Sequence, residues 1–213
     1  MKAVIFDMDG VISDTQSVYA RAESHVFAEH GVVITPEEIS RRFGGRTSPG
    51  VLRELFPDLS DDERDVIAQK RHARISGALD VGIAPIPETI AVITMLANAK
   101  VPLAVASATR PHGIERILRA LAVRDAFAHI VSAQDVPRGK PEPDIFLRAA
   151  ELLGVAPSEC IVIEDSPQGM EAARRAGMYC VGLVRSGNCD GLPAHVVVDD
   201  ARKVNWKALL HIP

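Results

Sequence analysis

Along the chain, short apolar runs alternate with segments of helical spacing. The runs are 3–6, 102–106, 129–131, 160–163, 179–184 and 196–198, most of them rich in Val and Ile and bounded by polar or turn residues. They are too short for helices and read as strands buried on both faces. Between them, Ile114, Ile117, Leu118 and Leu121 recur at three- and four-residue intervals, as do Ile145, Ala149, Leu152 and Leu153. Strand–helix alternation of this kind predicts a parallel sheet covered by helices on both faces, an α/β fold of the doubly wound type.

One stretch breaks the rhythm. From about residue 15 to residue 79 the pattern is helical, with helices expected at 37–43, 49–56 and 61–79, and with His25 and His30 on a further amphipathic helix. Gly44-Gly45 and Pro57-Asp58-Leu59-Ser60 separate the segments, and the alternation resumes after the Gly/Pro-rich connector 82–87. The expected organisation is a discontinuous α/β core, 1–14 with 82–213, interrupted by a helical unit at 15–81. An insert on two linkers is suited to act as a lid that excludes water from the sheet edge.

Composition narrows the function. Lys and Arg total 24 against 28 Asp and Glu, a net charge of −4, and aromatics make up 4% of the 213 residues. There is no basic excess to neutralise a phosphate backbone and little to stack on bases, so nucleic acid is not an expected partner. No apolar run reaches the ~20 residues that cross a bilayer, and the first one meets Asp7 too soon for a signal peptide, so no membrane partner is expected. Cys160, Cys180 and Cys189 are odd in number and lack metal-type spacing. They read as reduced thiols of a cytoplasmic protein. Trp206 reads as packing. No long apolar stripe is left over, which suits a monomer.

The chemistry concentrates in Asp7-Met8-Asp9-Gly10-Val11, directly after the first strand. Residues i and i+2 of an extended chain project to one side, so two carboxylates emerge together at the carboxyl end of a strand, where open α/β sheets bind ligands. A second acidic pair, Glu164-Asp165, follows the strand 160–163. Like charges about 4 Å apart repel by roughly 4 kcal/mol at an effective dielectric of 20. A hard divalent cation relieves that repulsion, and all-oxygen donors favour magnesium over zinc or copper. Ser166, Pro167 and Gly177 mark the start and end of the helix that follows. Ser107-Ala108-Thr109 after the strand 102–106, and Lys140 in the irregular Gly139-Lys140-Pro141, supply a hydroxyl, backbone N–H groups and a positive charge suited to a phosphate.

Taken in order, Phe6-Asp7-Met8-Asp9-Gly10-Val11, Ala106-Ser107-Ala108-Thr109, Gly139-Lys140-Pro141-Glu142-Pro143-Asp144 and Ile163-Glu164-Asp165-Ser166-Pro167-Gln168-Gly169 resemble the four motifs of the haloacid dehalogenase-like hydrolase superfamily. The resemblance is to its phosphatase and β-phosphoglucomutase-like branch, and it spans nearly the whole chain. It implies strand order 3-2-1-4-5 with a helical cap inserted after the first motif. It also implies that Asp7 is the nucleophile that forms an aspartyl-phosphate, and that Asp9 protonates the leaving oxygen and then activates water. Mg²⁺ would be held by Asp7, the backbone carbonyl of Asp9, and one or both of Glu164 and Asp165. Ser107, Ala108 and Lys140 would bind the phosphoryl oxygens. In similar dehalogenases the second acid is absent, so Asp9 points to phosphate esters.

Within that branch, water or a second sugar hydroxyl meets the aspartyl-phosphate. In mutase relatives a histidine shortly after the first motif serves the sugar. Tyr19 stands there instead, and the first cap loop reads Phe43-Gly44-Gly45-Arg46-Thr47. The expectation is therefore a phosphatase of a small-molecule phosphate ester (a sugar, sugar-acid or polyol phosphate), with Tyr19 and Arg46 as specificity candidates. A phosphosugar mutase is the alternative, and a non-catalytic binding relative stands behind it. Phospho-receiver modules share an acidic cluster and a Lys-Pro but are shorter and carry no helical insert. Lys70, Arg71 and Arg74 read as a solvated helix face that could alternatively line the cleft.

Overall fold

In the computed structural model the described residues are 1–43, 48–81, 83–185 and 189–212. They form two compact units, one built from Met1–Ser13 with Pro85–Pro213, the other from Asp14–Ala84.

The first unit is a six-stranded parallel sheet. Its strands are β1 (Ala3–Phe6), β2 (Leu103–Ser107), β3 (His129–Ser132), β4 (Cys160–Glu164), β5 (Tyr179–Leu183) and β6 (Val196–Val198), in the order β3-β2-β1-β4-β5-β6. The implied order 3-2-1-4-5 is present and is extended by β6 at one edge. β1, β2 and β4 are buried at every position, which is why they read as unbroken apolar runs rather than alternating ones. The helices of this unit are α5 (Pro87–Asn98), α6 (Pro111–Ala120), α7 (Asp144–Leu153), α8 (Pro167–Arg175) and α9 (Trp206–Leu210) if the insert's four helices are numbered first. One core gathers Ile5, Ala104, Phe146, Val162, Met170 and Cys180. Burying the Ile, Phe, Val and Met side chains stabilises the sheet by about 1.5–3 kcal/mol each. Trp206 is buried, and its indole N–H donates to the Ala201 carbonyl at 2.9 Å.

The chain runs from β1 outward to β3, then crosses to the other side of β1 to form β4. The loops after β1 and β4 therefore diverge at a topological switch point, the place where such sheets open a crevice. Register decides which residues meet there. Phe6 lies beside Val105 and Ile163, so the next residues along, Asp7, Ala106 and Glu164, come level at the strand ends.

The second unit holds α1 (Gln16–Glu29), α2 (Pro36–Phe43), α3 (Ser48–Leu55) and α4 (Asp61–Val81). Its own core includes Phe27, Ile39, Leu52, Phe56 and Ile67, with the Phe27 and Phe56 rings edge to face at 5.8 Å. Lys70 and Arg74 are exposed, as a solvated face requires, and Arg71 is half-buried, but all three side chains have partners. Arg71 pairs with the buried Glu23, Arg74 with Glu29 at 2.6 Å, and Lys70 meets His30 at 3.3 Å, so the three tie α4 to α1 and its end. The partners are 40 to 48 residues away in sequence, beyond what helical periodicity can register. Among the described residues no helix is long and apolar enough to cross a membrane.

Cys160 and Cys180 are buried and Cys189 is exposed, all as free thiols. Burial pushes the Cys160 thiol up to about 11 and the Cys180 thiol up to about 12. In the native protein at mildly alkaline pH, a thiol reagent should therefore modify Cys189 alone, and all three cysteines after unfolding. Rapid native modification of Cys160 or Cys180, mapped by peptide mass, would contradict this placement.

Candidate active site

The site starts where β1 ends. The Asp7 N–H donates to the Ile163 carbonyl at 2.9 Å, which carries the strand pairing one residue beyond Phe6. The chain then folds back on Met8, whose carbonyl accepts from the N–H groups of Ile12 at 2.8 Å and Ser13 at 3.1 Å. Gly10 makes that reversal with φ +84°, and its N–H donates to the Ser13 carbonyl at 2.8 Å. That left-handed backbone is what glycine adopts without a steric cost. The turn holds Asp7 buried and Asp9 partly open.

Lys140 joins the two acidic strand ends. Its Nζ lies 2.5 Å from Asp7 Oδ1 and 2.8 Å from Glu164 Oε2, with the Ala106 carbonyl at 3.4 Å. All three side chains are nearly out of water, at 9% exposure or less. The other Glu164 oxygen, Oε1, accepts from the N–H groups of Asp165 and Ser166, each at 3.0 Å, and from the Ser166 hydroxyl at 2.9 Å. Ser166 Oγ in turn accepts from the Gly169 N–H at 3.1 Å, so one side chain caps α8 and secures Glu164. Gly169 is sterically required: a Cβ there would lie 1.9 Å from Glu164 Oε2.

Charge in this cluster does not balance. Ligand oxygens of Asp7, Glu164 and Asp165 all lie within 4.8 Å of one another. Burial would push the Lys140 ammonium down, but Asp7 and Glu164 outweigh it and hold it well above the usual lysine range. Burial would likewise raise Glu164, yet Lys140 and the Ser166 donors keep it below the usual carboxylate range. Asp7 and Asp165 are pushed well up, by burial first and then by their carboxylate neighbours. One ammonium serves two carboxylates, and a third stands beside them. An all-oxygen donor set with surplus negative charge at a strand-end crevice fits a hard divalent cation.

Asp9 is engaged elsewhere. Its Oδ2 accepts from the Thr109 hydroxyl at 2.9 Å and from the buried Ser107 hydroxyl at 3.2 Å, both just beyond or at the end of β2. The Asp9 side chain is thus not one of the three clustered carboxylates, and its expected metal contact rests on the backbone carbonyl. Ala108 sits exposed between Ser107 and Thr109. The fold brings Asp7, Asp9, Ser107, Lys140, Glu164 and Asp165 to one end of the sheet. Tyr19 lies on α1 in the other unit, and Arg46 lies outside the described residues. Thr109 and the hydroxyl of Ser166 were not among the expected site residues. The i, i+2 logic that pairs Asp7 with Asp9 also pairs Ser107 with Thr109, and would have found the first of them.

Comparison with known proteins agrees with this geometry. A family model described as haloacid dehalogenase-like hydrolase matches residues 4–183. Hexitol phosphatase A of Escherichia coli K12 is 35% identical over 184 residues, 85% of this chain and 82% of that protein. The β-phosphoglucomutase of Bacillus subtilis is 34% identical over 191 residues, 86% of this chain and 83% of that one. The crystal structure of β-phosphoglucomutase from Clostridium difficile superposes with a TM-score of 0.87 at 25% identity, covering 99% of this chain and 96% of that chain.

Replacing Lys140 by Met leaves Asp7 and Glu164 buried without their shared cation. Losing one partner of a buried ionic cluster costs about 3–5 kcal/mol. Urea unfolding in the presence of a chelator should show that loss, and added divalent cation should restore part of it. A Lys140→Met protein as stable as the parent would contradict the ionic arrangement.

Proposed function

The chain belongs to the haloacid dehalogenase-like hydrolases, and we propose that it is a Mg²⁺-dependent phosphatase of a small phosphorylated metabolite. The observation that carries this reading is the placement of two acids with different surroundings two residues apart. Asp7 is buried against Lys140 and beside Glu164, whereas Asp9 is held by hydroxyls at the end of β2. That separation suits a nucleophile and a proton carrier working on one phosphorus centre.

In this reading an Asp7 oxygen attacks phosphorus as the bond from phosphorus to the ester oxygen breaks, and that oxygen takes a proton from Asp9. The product is an aspartyl-phosphate on Asp7, with Asp9 now a carboxylate. A water molecule then attacks the phosphorus as its bond to the Asp7 oxygen breaks and Asp9 takes the water's proton, which releases inorganic phosphate and restores both acids. Lys140, the Ser107 hydroxyl and the backbone at Ala108 bind phosphoryl oxygens as charge shifts onto them, the main source of acceleration in phosphoryl transfer. The divalent cation would be held by Asp7, the Asp9 carbonyl and Asp165. Glu164 already has one oxygen committed to three donors and the other to Lys140. When bound, such a cation screens the phosphate's negative charge from the carboxylate that must approach it.

The likeness to a hexitol phosphatase supports a sugar, sugar-acid or polyol phosphate as substrate. The likeness to two β-phosphoglucomutases favours a phosphosugar mutase as the second reading. Tyr19, standing where the resemblance to mutases leads one to expect a histidine, inclines the choice to hydrolysis. Tyr19 and Arg46 remain the specificity candidates of the helical unit. We place the enzyme in the cytoplasm, as a monomer. Two buried free thiols fit a reducing compartment.

Substituting Asp9 by Asn removes the proton carrier and leaves the hydroxyl contacts possible. Phosphate release should fall by roughly a hundredfold or more, with an unchanged circular dichroism spectrum, and a chelator should silence the parent enzyme. A panel of phosphorylated metabolites, including β-glucose 1-phosphate, gives the substrate. Isomerisation of that sugar outrunning phosphate release would replace the hydrolase reading by the mutase one.

A further inference from the structure

A proton carrier works from a fixed direction, and one of the hydroxyls that meet the Asp9 carboxylate belongs to a neglected side chain. We propose that Thr109 is a positioning residue, whose hydroxyl sets the direction of the Asp9 carboxylate; the inference rests on the phosphatase reading. The Thr109 hydroxyl makes the shorter of the two hydroxyl contacts to Asp9 Oδ2, 2.9 Å against 3.2 Å from Ser107. The two donors differ in what else they must do. Ser107 is read as a phosphate ligand, so an arriving phosphoryl group competes for its hydroxyl, while Thr109 keeps its hold on Asp9.

Thr109 is itself held on three sides. Its N–H donates to Ser107 Oγ at 3.0 Å. Its carbonyl accepts from the hydroxyl of Ser132 at 2.7 Å. Ser132 is fully buried at the end of β3, directly beside Ser107 in the parallel register, and its N–H donates to Asp135 at 2.8 Å. The Thr109 methyl lies against α6 at Gly113, where a Cβ would come within 2.8 Å of it. A β-branched side chain with its backbone anchored at both ends and its methyl seated in a glycine notch has little rotamer freedom left. The hydroxyl is thereby aimed at Asp9.

Both hydroxyls meet the same oxygen, Oδ2, so together they fix which edge of the Asp9 carboxylate is turned towards β2. In the balanced step, the phosphorus–oxygen bond breaks as Asp7 attacks, and the departing oxygen takes a proton from Asp9. Misorienting Asp9 removes help only from a leaving group that needs a proton. A nitrophenolate leaves without one, whereas a plain phenolate does so far less readily.

The test therefore compares p-nitrophenyl phosphate with phenyl phosphate, in the presence of Mg²⁺, for the parent, Thr109→Val, Thr109→Ser and Gly113→Ala proteins. The quantity is kcat/KM, which reports the steps through transfer to Asp7. Thr109→Val should lose roughly tenfold or more with phenyl phosphate while p-nitrophenyl phosphate stays within about threefold, a range set by the proton-independent remainder of the site. Thr109→Ser should restore both. Gly113→Ala, which crowds the Thr109 methyl without touching Asp9, should reproduce the selective loss in milder form. Equal losses with both esters, or a rise in KM alone, would overturn the assignment, since folding defects and lost substrate contacts do not distinguish leaving groups. A parent enzyme inert towards both esters would overturn the phosphatase reading and the Thr109 assignment with it.

Discussion

Three carboxylates crowd the carboxyl ends of two neighbouring strands, with Lys140 threaded between two of them. Everything else at this end of the sheet follows from that electrostatic load. Burial makes it costly, because charges taken out of water must find partners. The protein meets the cost unevenly. Glu164 meets Lys140, Ser166 and its own loop and is held below the usual carboxylate range, whereas burial and neighbouring carboxylates push Asp165 up, and Asp7 too despite its contact with Lys140. The two acids raised in this way are the ones read as meeting the cation, and one of them is read as meeting the substrate.

The sheet delivers this arrangement through register rather than through local sequence. β1 lies between β2 and β4, so the residue one step beyond β1 arrives level with the last residues of its two neighbours. Asp7 comes from β1, the Ala106 carbonyl and Ser107 from β2, and Glu164 from β4. The turn after β1 then carries Asp9 towards the β2 side, away from the cluster, where Ser107 and Thr109 receive it. Two acids two residues apart thus acquire different environments. Small residues make the crowding possible: Gly10 turns the chain, Gly169 leaves room for Glu164, and Gly113 leaves room for Thr109.

Much of this was legible in the sequence, for identifiable reasons. The central strands read clearly because burial on both faces makes them continuous apolar runs, and the helical break after β1 stood out against them. Strand order did not come from pattern, since β1 pairs with residues 99 and 157 positions away and such pairing leaves no local trace; it came from the motif resemblance. The acidic pairs were visible because they follow strands directly. The division of labour between Glu164 and Asp165 was not, because it depends on which oxygen meets Lys140 and which meets Ser166. The same holds for Arg71 and Glu23, joined across 48 positions. Thr109 was visible as a residue and invisible as a partner of Asp9, because that contact spans 100 positions.

The central claim is that phosphorus is captured on the Asp7 carboxylate. It is tested most directly by acid-quenching the enzyme during turnover of p-nitrophenyl phosphate with Mg²⁺ and mapping the attached phosphate by peptide mass. The account predicts a base-labile phosphoryl group on the peptide carrying Asp7, absent from an Asp7→Asn protein. A turning-over enzyme with no such adduct, or with phosphate on another side chain, would contradict it.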